Sequence, residues 1–266
     1  MIAAGAAIVV LWGCGQGAGS RARDRRASAA TEQASRRATP VADSGASHPL
    51  HPTPSTQIVV FLGTSLTAGL GLDPDEAFPA AIQRKLDSLE LGWRAVNAGV
   101  SGETSAGALR RLDWVLRDRP AILVVETGAN DMLRGLDLDS TRANLEAIVR
   151  RVRAADPGVT IVLAGMEAAP NLGPRYAAQF HALFRDLAAR EHLALIPFLL
   201  EGVGGVDSLN QADGIHPTAA GDRIVAENVW RVLEPILRRT GAQTHGRTGV
   251  RGHGDTVGHE PQERGP

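Results

Sequence analysis

Between residues 57 and 239, short β-branched apolar runs alternate with stretches of helical periodicity. The runs at 58–62, 95–96, 122–125, 160–163 and 193–196 have the length and composition of buried parallel strands. Between and after them, apolar residues recur at spacings of three and four: Phe78/Ile82/Leu86/Leu89, Leu109/Leu112/Leu116, Leu145/Ile148/Val149/Val152, Tyr176/Phe180/Leu183/Leu187 and Ile224/Val225/Val229/Val232/Leu233. Each set is the stripe of a helix lying on a sheet. Five alternations predict one α/β domain, a three-layer α/β/α sandwich around a five-stranded parallel sheet. Ligands bind such sheets at the carboxyl ends of their strands.

The flanks read differently. Residues 1–14 form a short apolar run ending in Cys14, too short for a permanent membrane helix and shaped like the core of a signal peptide. Its last residues, Leu11-Trp12-Gly13-Cys14, resemble a bacterial lipobox, which would make Cys14 a lipidation site and place the protein in the periplasm or cell envelope. Residues 15–56 are Ala, Ser, Arg, Thr, Pro and Gly with almost no large apolar side chain, so they predict a disordered linker. Residues 240–266 are similarly polar and Gly-rich. His245, His253 and His259 lie there without the scaffold a metal site needs, and no metal is expected.

Composition narrows the partners. Lys and Arg number 28 against 29 Asp and Glu, which removes the bulk positive charge that draws proteins to nucleic acid. Cys14 is the single cysteine, so no intramolecular disulfide forms.

The candidate chemistry sits in the loops after the strands. Gly63-Thr64-Ser65-Leu66 follows the first run, where a serine stands at the sheet edge beside free helical N–H groups; it suits a nucleophile and equally a helix cap. Asn97-Ala98-Gly99 and Gly128-Ala129-Asn130-Asp131 follow the second and third runs. A glycine N–H and an Asn amide could stabilise an oxyanion, while a bend and an Asx turn explain the same residues structurally. Asp213-Gly214-Ile215-His216-Pro217 precedes the last helix. There a carboxylate could orient a basic imidazole, or His216 could simply flank a helix start. His181 and His192 lie in or at the end of a helical stretch and read as structural. Neither nucleotide-binding glycine motif is present at the first loop.

Taken together, the loop at Gly63, Gly99, the Gly128–Asp131 block and the Asp213/His216 pair resemble the four blocks of the SGNH (GDSL) hydrolase family, over roughly residues 57–239. The segments at 169–176 and 197–201 are similar to those of its bacterial multifunctional thioesterase/lysophospholipase/arylesterases. The resemblance implies a flavodoxin-like SGNH fold and an esterase acting on acyl esters or thioesters without a cofactor. It further implies Ser65 as nucleophile, His216 as base, Asp213 as the orienting acid, and an oxyanion hole from Ser65, Gly99 and Asn130. An acyl pocket lined by Leu133, Leu136, Met166 and Leu172 is expected from topology. The family usually has Asp where this chain has Thr64, and a local bond from the Thr64 hydroxyl to the backbone is expected to keep the turn. Two other readings remain: a carbohydrate O-acetyl esterase using the same triad, and an envelope binding protein that has lost activity.

Overall fold

The structure, a computed structural model, describes residues 56–248. The apolar run with Cys14, almost all of the linker and the residues after 248 lie outside the described residues.

Five strands form one parallel sheet in the order β2-β1-β3-β4-β5: β1 Gln57–Gly63, β2 Trp93–Gly99, β3 Ile122–Val125, β4 Thr160–Ala164 and β5 Ala194–Ile196. β3 is buried along its whole length, as its run of Ile, Leu and Val anticipates. β2 is an edge strand and longer than its apolar pair Ala95-Val96. Arg94 and Asn97 are exposed, so its pattern carries too few apolar positions to reveal its length.

The predicted helices are all present: α2 Phe78–Ser88, α3 Ser105–Val115, α5 Leu138–Ala155, α6 Pro174–Arg190 and α7 Ala219–Thr248. Leu89 and Leu116 fall just past the ends of α2 and α3. α7 continues beyond Arg239 to Thr248. Two short helices with no periodic signature of their own, α1 Ser65–Ala68 and α4 Ala129–Leu133, follow β1 and β3 directly.

Right-handed crossovers fix which helix covers which face. The step from β1 to β2 runs one way along the sheet, and the steps onward to β3, β4 and β5 run the other way. α2 therefore packs with α7, while α3, α5 and α6 form the opposite layer. The core between the layers is aliphatic with a few ring contacts, Phe61 against Phe78 and Phe180 against Phe184, both edge to face.

One joint within the α2–α7 layer is titratable. α2 begins after Ala77, which offers no capping oxygen, and the Phe78 N–H instead donates to the carboxylate of Asp222 on α7. Asp222 is 1% exposed and its Oδ2 has no partner among the described residues. Burial pushes this carboxyl up to about 7, with the Phe78 bond opposing. The folded chain thus holds a proton there that the unfolded chain releases near the ordinary 3.8, so stability falls as pH rises from that value through about 7. Asp222→Asn should raise the melting temperature relative to wild type at pH 8, with the advantage shrinking at pH 5. A difference that is the same at both pH values would exclude titration of Asp222 as the cause.

Candidate active site

Strand order reverses at β1, because its connection leads to β2 on one side while β3 lies on the other. The crevice this leaves is at the carboxyl end of β1. Ser65 is the first residue of α1, immediately beyond that strand end. Its Oγ lies 2.8 Å from His216 Nε2, a residue 151 positions away. His216 Nδ1 is 2.6 Å from Asp213 Oδ2. The other carboxylate oxygen, Oδ1, accepts the N–H groups of Ile215 at 2.9 Å and His216 at 3.0 Å.

These bonds settle the electrostatics of Asp213. The His216 side-chain bond, then the two backbone N–H groups, lower its carboxyl to about 2, although its side chain is well exposed. It is therefore an anion throughout the neutral and mildly acidic range. With Nδ1–H given to that anion, the neutral ring directs its Nε2 lone pair at the Ser65 hydroxyl.

The loop carrying the pair is itself clamped. Asn210 pairs with Pro217 across its base, and Gln211 N–H donates to the His216 carbonyl at 2.7 Å. Gln211 Nε2 donates to Leu70 O at 2.7 Å and Pro217 O at 2.9 Å, joining the histidine loop to the chain that follows α1. Sequence reasoning passed over Gln211, which has no motif to mark it.

The Thr64 hydroxyl does not bond locally. Thr64 makes no side-chain cap to α1, and its Oγ1 donates across strands to Glu126 Oε1 at 2.9 Å. Glu126 directly follows β3 and is 1% exposed. Its Oε2 also accepts from Thr64 N at 2.7 Å, Thr67 Oγ1 at 2.8 Å and Thr67 N at 3.3 Å. Burial raises the Glu126 carboxyl and these bonds lower it, with burial the larger effect. The carboxylate sits at the end of an otherwise apolar run, and that break in Ile-Leu-Val-Val-Glu was a signal in the sequence.

Asn130 lies in α4, and its Nδ2 donates to Glu103 O at 3.0 Å, leaving the second amide hydrogen for other use. Arg134, just past α4, donates from Nη2 to Gly102 O at 2.6 Å, so α4 and its C-cap hold the β2–α3 loop at two successive carbonyls. Arg111 fixes the same loop from beneath: its Nε lies 2.9 and 2.8 Å from the two Glu103 oxygens, and Nη2 is 3.1 Å from Gly63 O. Gly99 pairs with Gly63 at the strand ends, and its N–H donates to Asn97 Oδ1 at 2.9 Å. A Cβ at Gly99 would stand 2.3 Å from Ala68 N, so glycine is required for the approach of α1. Gly102, at φ +77, has an N–H that bonds to none of the described residues. Asp131 points inward, accepting Ser105 N–H at 2.8 Å and the Ser105 hydroxyl at 2.5 Å.

With this geometry in place, residues 61–224 match the GDSL-like Lipase/Acylhydrolase family. The chain belongs to that family. Among curated proteins, Esterase TesA of Pseudomonas aeruginosa is 42% identical over 184 residues, covering 69% of this chain and 90% of TesA. Thioesterase 1/protease 1/lysophospholipase L1 of Escherichia coli K12 is 33% identical over 180 residues, covering 67% of this chain and 84% of that protein. The crystal structure of TesA is similar with a TM-score of 0.65 at 42% identity, covering 68% of this chain and 99% of that one.

The fold of this acylhydrolase is thus the three-layer SGNH sandwich. Ser65, His216 and Asp213 come together as one hydrogen-bonded chain. Asn130, in α4, and Gly99, the last residue of β2, lie at the same sheet edge, though the N–H of Gly99 is already engaged. Of the residues expected to line an acyl pocket, Leu133, Leu136 and Leu172 are exposed in the segments that follow β3 and β4, whereas Met166 is 3% exposed and belongs to the core. Leu70, Val100 and Ile215, from three further loops near that edge, are exposed as well.

Proposed function

We propose that this chain is a serine esterase that hydrolyses acyl esters or thioesters through an acyl-enzyme on Ser65. The observation that carries the proposal is the continuous chain from Ser65 Oγ to His216 Nε2 and from His216 Nδ1 to Asp213, at 2.8 and 2.6 Å. His216 takes the hydroxyl proton as Oγ attacks the acyl carbonyl, and Asp213 stabilises the imidazolium that results. His216 then gives the proton to the departing alcohol or thiol. Water attacks the acyl-enzyme by the same route and regenerates Ser65.

The developing oxyanion needs donors at that edge. The Ser65 N–H and the free hydrogen of the Asn130 amide supply two. For a third from the β2–α3 loop, Gly99 would have to release Asn97, whereas Gly102 carries an open N–H next to the carbonyl that holds Asn130. The exposed Leu70, Val100, Leu133, Leu136, Leu172 and Ile215 favour substrates with an apolar acyl chain over acetylated glycans. An intact proton-transfer chain argues against an inactive binding protein.

The relatives' names, an esterase and a thioesterase/lysophospholipase, support the same substrate class. We further propose export to the periplasm or envelope with Cys14 lipidated, on the strength of the apolar run and the residues before it.

Three measurements test this. Ser65→Ala should abolish labelling by a fluorophosphonate probe and lower kcat by several orders of magnitude; turnover near wild type would overturn the nucleophile. Asn130→Ala should remain folded but slow, losing about 3–4 kcal/mol of transition-state stabilisation, roughly 10²–10³ in kcat. A lowered melting temperature with kcat intact would make Asn130 a turn residue only. Cys14→Ser should move the exported protein from membranes to the soluble fraction without changing its turnover of soluble esters, and unchanged fractionation would refute the anchor.

A further inference from the structure

We propose that Glu126 is a positioning residue for the nucleophile, holding the turn around Ser65 from a neighbouring strand. The inference rests on Ser65 as nucleophile and adds a residue that does not touch the reacting atoms.

α1 has four residues, far too few to hold helical geometry by its own hydrogen bonds, and its N-cap Thr64 contributes no side-chain cap. Orientation of Ser65 must therefore come from tertiary contacts. Glu126 provides them: its two oxygens accept the N–H and hydroxyl of Thr64 and the N–H and hydroxyl of Thr67. Those residues lie on either side of Ser65, and Glu126 takes no bond from Ser65 itself. The hydroxyl and N–H of Ser65 stay available for the reaction while the backbone around them is fixed.

The burial of this carboxylate makes a filler role untenable. It is 1% exposed, and no Lys, Arg or His among the described residues pairs with it. An apolar residue at that position would avoid the desolvation of a charge, so the four donors are what the carboxylate is matched to. Gly63 makes room for them: a Cβ there would stand 1.9 Å from Thr67 Oγ1 and 2.6 Å from Glu126 Oε2. Thr64 fits the same logic. Where the family usually has an acid, this chain has a hydroxyl that donates to an acid on β3's end.

The test uses the full chain, with Glu126→Gln and Thr67→Val compared against wild type. Each variant is read for melting temperature, for kcat and KM on a soluble p-nitrophenyl ester, and for the rate of fluorophosphonate labelling. Loss of positioning should lower kcat and the labelling rate together, by about tenfold to 10²-fold for Glu126→Gln and less for Thr67→Val, with KM changed by less than about twofold. Glu126→Asp should recover part of the lost rate. Thr67→Val keeps the carboxylate and removes one donor, so it decides the matter if Glu126→Gln does not yield folded protein. Wild-type kcat and labelling rate in the folded variants, with only the melting temperature lowered, would overturn the proposal. Failure of the underlying reading looks different: wild type itself would resist the probe, or Ser65→Ala would still be labelled.

Discussion

The reversal of strand order at β1 is the constraint on which the site depends. Chain direction along the sheet changes once, between the crossover to β2 and the crossover onward to β3, and right-handed connections then send α2 and α3 to opposite faces. Among the described residues no crossover helix passes over the carboxyl end of β1, and the short α1 lies in a crevice flanked by the ends of β2 and β3. Everything chemical converges there: Ser65 from β1, the Gly99–Glu103 loop from β2, Glu126 and Asn130 from β3. His216 arrives from the far end of the domain, on a loop that Gln211 ties to the segment after α1.

Most of this fold was legible because its signals are periodic. β3 and the stripe of α5 state their burial outright, since a strand covered on both faces and a helix on a sheet leave distinct spacings of apolar residues. β2 was legible only in part, because an edge strand exposes one side and its polar residues mask its length. α1 and α4 were not legible as helices at all. They are too short for a period to repeat, and tertiary bonds rather than propensity keep them helical. At the site, Ser65, Asp213 and His216 were readable as residue types at spaced loops, but the sequence could not say that Gly99 spends its N–H on Asn97 or that Met166 turns into the core. Those depend on side-chain directions fixed by packing.

Three carboxylates show how the same group takes opposite electrostatic roles. Asp213 is exposed and surrounded by an imidazole and two N–H groups, so its ionised form is favoured down to about pH 2. It adds stability above its ordinary range that is lost only as pH falls through the acid region. Asp222 is buried with a single donor, and its neutral form survives to about pH 7, which gives it the reverse slope. Glu126 is as buried as Asp222 but receives four donors. Burial raises its carboxyl and the four bonds oppose that shift, where Asp222 has one bond to oppose it.

Those bonds have a structural logic. Neither arm of the site is held by local capping alone: α1 has no side-chain cap, and the β2–α3 loop has only the Thr104 hydroxyl accepting the Gly107 N–H at 3.4 Å. α1 is secured by Glu126 from β3's end, and the β2–α3 loop is secured by Arg111 from α3, by Asn130 from α4 and by Arg134 just past it. Arg111 also reaches the Gly63 carbonyl, so one guanidinium links the strand that leads into Ser65 to the loop proposed to carry an oxyanion donor. Gly107 permits this, because a Cβ there would lie 2.5 Å from Glu103 Cγ and push the carboxylate away from Arg111. A displacement of either arm is therefore resisted by side chains anchored in different layers of the sandwich. The donors proposed for the oxyanion would then be aligned before substrate arrives, which is the condition under which fixed dipoles stabilise a transition state more than they stabilise the bound ester.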